Sequence, residues 1–536
     1  MAVAWCPGMR KPGPSRRGLL QGMAALAGLK AIGCTTQDLG AGSEGVNWGD
    51  DKSDSGTCKP AAQSWDAARQ KITSVVVLCM ENRSFDHYFG AVSLPRDRGG
   101  LGVSGVNGLR GNESNRSSDG RTIKSNILTD FTPHDLPHEW GEMRDMHGGG
   151  QMGGFVRAAE AAARARTADL QKNVNPSLRV SADQLAAVMA TEAMGYHTPA
   201  QLPMMYELAR QSVLCDNWFS SVMGPTWPNR FYLHGGDARG IMKNRPVINW
   251  ESILDVVHKA DLESKNFYHD IAWLRGANPS PTREARNIFE DMVSRFDRLK
   301  PTGFFARARA NTLPALSIID PHFGLFNPAD ANDDHPDFGG GDGHHVRMGQ
   351  ALIASVVAAI AGNRDQWNRT LLIITYDESG GFYDHVAPPT TYDQRAGFGQ
   401  LGFRVPSMVI GPHVRRGCAV STTFEHTSIL SSVLRLYNIP GFENDKVNQR
   451  LEAGNDLLDC LDANALEGTP HRPPVLPAVQ ISRRAWQDRS MVSRHRDLQE
   501  EALLLPESMR RKAADPSILE NVLAAGESLG AVQMIR

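Results

Sequence analysis

The chain predicts an α/β domain, a mostly parallel β-sheet flanked by helices on both faces, on three observations. The runs Ser74–Met80 and Thr370–Tyr376 are continuously apolar apart from their edges, so they read as strands covered on both faces. Shorter strand-like pieces at 212–216, 245–250, 266–269, 315–319 and 405–410 are interleaved with helical periods at 155–170, 201–210, 345–361 and 427–437. Such alternation predicts helical crossovers between parallel strands, and 536 residues at 41% hydrophobic are enough for one large core.

Taken in order, the chain opens with an address. Ser15, Arg16, Arg17, Gly18, Leu19, Leu20 and Gln21 resemble a twin-arginine export signal, and the apolar stretch 23–32 is broken by Lys30 and too short for a permanent span. Residues 1–45 are therefore expected to be a removed or flexible leader, with the folded protein exported by the twin-arginine machinery to the periplasm or medium. The residues around Cys34 also resemble a lipoprotein cleavage site, without its usual Leu. Residues 46–70, rich in Gly, Ser and Asp, read as a linker, 71–467 as the catalytic domain, and 468–536 as a Pro-rich and then charged helical tail.

Seven cysteines, at 6, 34, 58, 79, 215, 418 and 460, have no CxxC spacing and make no zinc knuckle. An oxidising compartment permits a disulfide among them, while Cys79 reads as a small buried hydrophobe inside its strand. Residues 91–133 read as loop, 155–170 as an Ala- and Arg-rich covering helix, and 201–210 as an amphipathic helix with Leu202, Met205 and Leu208 on one face. A net charge of -2 gives no reason to expect nucleic acid as a partner.

The chemistry-bearing residues sit where the buried runs stop. The first delivers Glu81 and Asn82, the second Asp377 and Glu378. The carboxyl ends of strands in an open α/β sheet are where ligands bind, and two strands each ending in paired oxygen donors predict one shared divalent metal ion. Calcium, magnesium, zinc and iron all stay open, although the lack of His and Cys among these donors disfavours a structural zinc site.

Four segments together resemble the bacterial phosphoesterase family of exported phospholipases C and AcpA-type acid phosphatases, a branch related to the alkaline phosphatase superfamily. They are Glu81 through His87; Gly224, Pro225, Thr226, Trp227, Pro228, Asn229 and Arg230; Asp334, His335 and Pro336; and Tyr376, Asp377 and Glu378 with Gly380 through His385. The resemblance implies an alkaline phosphatase-like core, a metal held by Glu81, Asn82, Asp377 and Glu378, and a hydroxyl nucleophile close to it. Thr226, in a stiff turn after Gly224, is the candidate nucleophile and a further metal ligand, since a metal ion lowers a hydroxyl pKa without a neighbouring base. His138, His269 and His335 correspond in context to family positions near the phosphate, where they would bind its oxygens or protonate the leaving alkoxide. Asn229, Arg230 and His385 are candidate substrate ligands, and His426 is expected to cap a helix.

The resemblance implies a phospholipase C acting on phospholipid, with peripheral membrane contact, or else an acid phosphatase acting on small phosphate monoesters. A sulfatase would carry Cys or Ser in a Cys-x-Pro-x-Arg pattern, which is missing around Thr226. A non-catalytic exported metal-binding protein on the same fold would have lost the nucleophile or a ligand, and none is lost.

Overall fold

The computed structural model describes residues 57–58, 63–173, 181–245, 250–277, 288–293, 303–324, 331–336, 346–482 and 517–535. The leader, most of the linker, positions 246–249 of the strand expected at 245–250, and the arginine clusters of the tail lie outside them.

Eight strands form the main sheet: β1 (Ser74–Met80), β2 (Val213–Cys215), β3 (Ser264–Tyr268), β4 (Phe289–Asp291), β5 (Leu316–Asp320), β6 (Thr370–Tyr376), β7 (Met408–Ile410) and β8 (Cys418–Val420). Their spatial order is β8-β2-β7-β6-β1-β5-β3-β4. Every neighbouring pair is parallel except those of β7, which runs antiparallel to β6 and β2. The two longest apolar runs of the sequence are thus adjacent central strands, buried at every residue, as side chains on both faces of a helix-covered sheet must be. They pair in register from Ser74 with Thr370 to Met80 with Tyr376, so Glu81 and Asp377 leave the sheet side by side.

The helices include α1 (Phe85–Phe89), α2 (Phe155–Asn173), α3 (Ala182–Ala193), α4 (Pro203–Arg210), α5 (Thr226–Gly235), α6 (Val346–Ala361), α7 (Thr427–Tyr437) and α8 (Ser517–Ser528). Among the described helices none is long and apolar enough to cross a membrane. α2 and α3 pack along each other, and their Ala159, Ala163, Ala186, Met189 and Ala193 cover Leu136 and Phe382 beside the site. α6 is apolar nearly all round, which demands cover on both sides. One side faces the main core; on the other lie α8 and the parallel ribbon of Val479–Ser482 and Val532–Ile535. The approach is close: a Cβ at Gly526 would come within 2.4 Å of Ser355 Oγ. Val479, Ile481, Val522, Leu523, Ala531 and Val532 from this segment join the main core.

Cys58 and Cys418 form a disulfide across 360 residues, and Cys58 N donates to Ala419 O (2.8 Å). The bridge pins the chain ahead of β1 to the edge strand β8. Closing so long a loop restricts the unfolded chain, so Cys58→Ser is expected to cost about 2–4 kcal/mol of stability. It should appear as a lower thermal midpoint with turnover at room temperature intact, since β8 is four strands from β1. An unchanged midpoint after verified loss of the bridge would mean that the tether adds nothing.

Candidate active site

Glu81 and Asn82 continue directly from β1, and two hydrogen bonds set their course. Glu81 N donates to Asp333 O (2.9 Å) and Asn82 N to Asp377 Oδ1 (3.1 Å). Asn82 has a left-handed backbone (φ 59°), a conformation that Asn tolerates better than most residues. The second loop comes in against it. Gly380 is also left-handed (φ 61°), and a Cβ there would lie 2.1 Å from Asn82 O, so only glycine allows the two loops to touch. Glu378 is held by Gly380 N, which donates to its Oε2 (2.6 Å). His426 is in hydrogen-bond contact through Nε2 with Asp377 O (2.7 Å) and makes no side-chain cap to α7. It therefore orients the site, contrary to the expected cap, because its ring is turned back toward the sheet.

Thr226 is the first residue of the ten-residue helix α5, with Pro225 at the cap, and so sits at a helix N-terminus as well as after a turn. That end of a helix presents unpaired N–H groups and the positive end of its dipole, which favours an anion. The Thr226 hydroxyl donates to Asn82 Oδ1 (3.4 Å). The loop before it is held by Asn229, whose Oδ1 accepts from Val222 N (3.0 Å) and whose Nδ2 donates to Gly224 O (2.9 Å) and Pro225 O (3.1 Å). Asn229 is thereby committed to backbone, not to a substrate. At Gly224 a Cβ would meet the Trp140 ring at 2.8 Å, so the His138 segment packs directly on the loop before Thr226.

His138 is fixed by Nδ1 on Leu136 O (2.7 Å), which leaves Nε2 pointing at Asn82 Nδ2 (3.4 Å) and Glu378 Oε1 (3.8 Å). Burial alone would lower its pKa, but the carboxylates of Glu378 and Asp135 outweigh burial and raise it to about 10. Glu378 is pushed up by burial, with His138 opposing and Asp377 adding to the rise. The His335 ring lies 6.3 Å from that of His138, its Nδ1 contacting Pro336 O (2.6 Å). His269 is set apart at the end of β3 and joined to the His335 segment through Asn332 (3.3 Å). Burial, helped by the neighbouring His322, lowers it to about 3, so it is neutral.

Two further expected substrate ligands are also turned elsewhere. Arg230, fully buried, donates to Glu81 Oε1 (3.0 Å) and Asp377 Oδ2 (3.1 Å) and lies 3.5 Å from Asp320 Oδ1. It acts as counter-ion to the carboxylates. His385 binds Asp86 Oδ2 through Nδ1 (2.7 Å) in a separate cluster. Asp135 and Asp320 were the residues that sequence reasoning missed. Asp135 was legible from its place three residues before His138, whereas Asp320 gives no local signal beyond ending a strand.

The donor set suits a hard divalent cation. Glu81, Asn82, Thr226, Asp377 and Glu378 offer amide, hydroxyl and carboxylate oxygens, Glu81 and Asp377 sharing Arg230, and Glu378 Oε1 is a buried carboxylate oxygen with no hydrogen-bond partner. Asp135, His138 and His335 form a second candidate group, their donor atoms within 4.8 Å of one another.

The chain is similar to known proteins. The chain is 30% identical over 406 residues to non-specific phospholipase C6 of Arabidopsis thaliana, covering 69% of this chain and 68% of that one. It is 28% identical over 418 residues to phospholipase C B of Mycobacterium tuberculosis, covering 69% and 74%. A solved protein in the alkaline phosphatase superfamily from Vibrio parahaemolyticus overlaps 50% of this chain and 66% of its own at 11% identity and a TM-score of 0.29. The Phosphoesterase family model matches residues 72–440, across all four segments and every residue of the site; the chain belongs to that family and is a phosphoric ester hydrolase.

Proposed function

We propose that the protein is an exported, metal-dependent phospholipase C that releases phospholipid head groups through a phosphothreonine intermediate on Thr226. The observation that carries this reading is the convergence of Thr226, at a helix N-terminus, with Asn82, Glu378 and His138. Phospholipid as substrate is supported by the relatives named phospholipase C on both sides of the plant and bacterial divide. Such a substrate lies in a bilayer, so the enzyme works as a peripheral membrane protein.

Glu81, Asn82, Thr226, Asp377 and Glu378 would hold a divalent cation, which would supply Lewis acidity that lowers the pKa of the threonine hydroxyl. Thr226 Oγ, its proton released to solvent, attacks phosphorus, and the bond to the diacylglycerol oxygen breaks. His138, whose proton is held by Glu378 and Asp135, is placed to protonate that leaving oxygen. The N–H groups at the start of α5 favour the charged phosphoryl group on Thr226. Water then attacks phosphorus, His138 taking a proton from that water, and the bond to Thr226 Oγ breaks with the oxygen regaining its proton from solvent.

Export is supported by Arg16 and Arg17 and by the Cys58–Cys418 bridge, which belongs to an oxidising compartment.

Thr226→Ala is expected to lose roughly a thousandfold in turnover, about 4 kcal/mol of barrier, while Thr226→Ser keeps part of it. Purified enzyme should act on phosphatidylcholine far better than on an aryl phosphate monoester, and acid quench should trap label on Thr226. An alanine variant within about tenfold of wild type, with no trapped label in the parent, removes Thr226 as nucleophile; preference for the monoester makes the enzyme an acid phosphatase. Asp377→Asn and Glu378→Gln should each lose bound metal and activity together, and full metal content by elemental analysis in both would strike them from the ligand set. Replacing Arg16 and Arg17 with Lys should strand the protein in the cytoplasm, and normal exported activity would refute the twin-arginine route.

A further inference from the structure

Behind the loops that carry Asn82 and Glu378 lies a buried charge cluster that the proposed chemistry does not use. Asp86, in the first turn of α1, and Asp384, six residues after Glu378, face one fully buried guanidinium, Arg404. Arg404 Nη2 donates to Asp86 Oδ1 and Nε to Asp384 Oδ1, both at 2.9 Å. Its Nη1 donates to the carbonyls of Asn107 and Asp216, both at 2.6 Å. His385 approaches the other oxygen of Asp86.

Asp86, Asp384 and His385 have donor atoms within 4.8 Å of one another, a spacing that would also suit a metal ion. The Arg404 guanidinium argues against one. It already serves an oxygen of each carboxylate and lies 3.3 Å from His385 Nδ1, so the middle of the triad holds a cation of its own.

The cluster joins the two ligand-bearing loops to each other. Ser84 Oγ donates to Tyr383 O (2.8 Å), Asp86 N to Asp384 Oδ2 (3.3 Å) and Phe85 N to Arg404 O (3.0 Å). Strand register sets where the loops start, but β1 and β6 end at Met80 and Tyr376 and cannot fix how the loops approach beyond that point. We propose that Arg404, with Asp86 and Asp384, is a positioning residue for the metal site, locking the two loops at the separation that lets Asn82, Asp377 and Glu378 face one point. This rests on the metal-dependent reading above. A planar fork is needed, because one lysine ammonium cannot serve two carboxylates and two carbonyls in fixed directions.

The test uses the full chain as Arg404→Lys and Arg404→Gln, with Asp86→Asn as a milder variant should either fail to fold. Metal-free protein is titrated with calcium, magnesium and zinc in turn, and amide hydrogen exchange is followed by mass spectrometry in peptides covering 80–90, 376–386 and, as a control, β3. The expected result is metal affinity weakened by about 10–100-fold, activity partly restored by excess metal at unchanged substrate KM, and faster exchange in the two loops with β3 unaltered. Wild-type affinity and loop exchange, with only a lower thermal midpoint, would overturn the proposal, as would a uniform rise in exchange. If the wild type binds none of the three ions, nor ferrous iron, the metal-dependent reading itself fails. The exchange pattern then decides the role of Arg404 alone: selective loosening of the loops upholds the clamp, and uniform loosening or none overturns it.

Discussion

One buried guanidinium holds together what would otherwise fly apart. Glu81, Asp377 and Asp320 come from the ends of three adjacent strands, β1, β6 and β5, and all three are out of contact with water. Like charges so close in a low dielectric repel strongly, and leaving even one uncompensated is expensive. Arg230 lies within 3.5 Å of an oxygen of each. Its own position follows from α5, which carries Thr226 at its start and Arg230 one turn later. The counter-ion and the candidate nucleophile are therefore delivered by one rigid element, and the placement of one constrains the other.

Two of the left-handed non-glycine residues among those described lie at the same place. Asn82 (φ 59°) and Asp334 (φ 72°) are both left-handed without being glycine, and both flank site residues. Asp334 is fixed by Tyr376 Oη, which donates to its Oδ2 (2.5 Å), and by Arg83 Nε, which donates to its carbonyl (2.8 Å). Its carboxyl is raised to about 7 by burial, against the opposing charge of Arg83. Even the helix behind it is tailored, since a Cβ at Gly349 would lie 2.0 Å from Asp334 Oδ1. The residue before His335 is thus held from three directions, which gives the imidazole a defined place.

The central strands were legible because a doubly covered strand has to be apolar on both faces, and few other structures give seven such residues in a row. The paired donors at their ends were legible for the same reason, as abrupt polar stops. What hid was long-range pairing. Nothing local in Arg230 says that its partners lie 149 and 147 residues away, so a phosphate contact was the natural expectation for an arginine in such a motif. Arg404 stands in no motif at all, and its partners Asp86 and Asp384 lie 318 and 20 residues away. The segment after 468 read as a charged tail because its composition changes, yet its Val479, Ile481, Val522, Leu523, Ala531 and Val532 join the main core.

The histidines show how environment divides roles among identical side chains. His269 and His138 have the same imidazole, but burial beside His322 takes one down to about 3, and two carboxylates take the other up to about 10. At neutral pH only His138 carries a proton to give, while His269 can offer no more than a neutral hydrogen bond. Pairs of groups pushed apart in this way mark acid and acceptor in a site. The same Glu378 that supports the imidazolium also belongs to the candidate metal donors, so a cation and a proton compete for one carboxylate. Whatever neutralises Glu378 weakens the hold of His138 on its proton, which ties the strength of the acid to the occupancy of the site beside it.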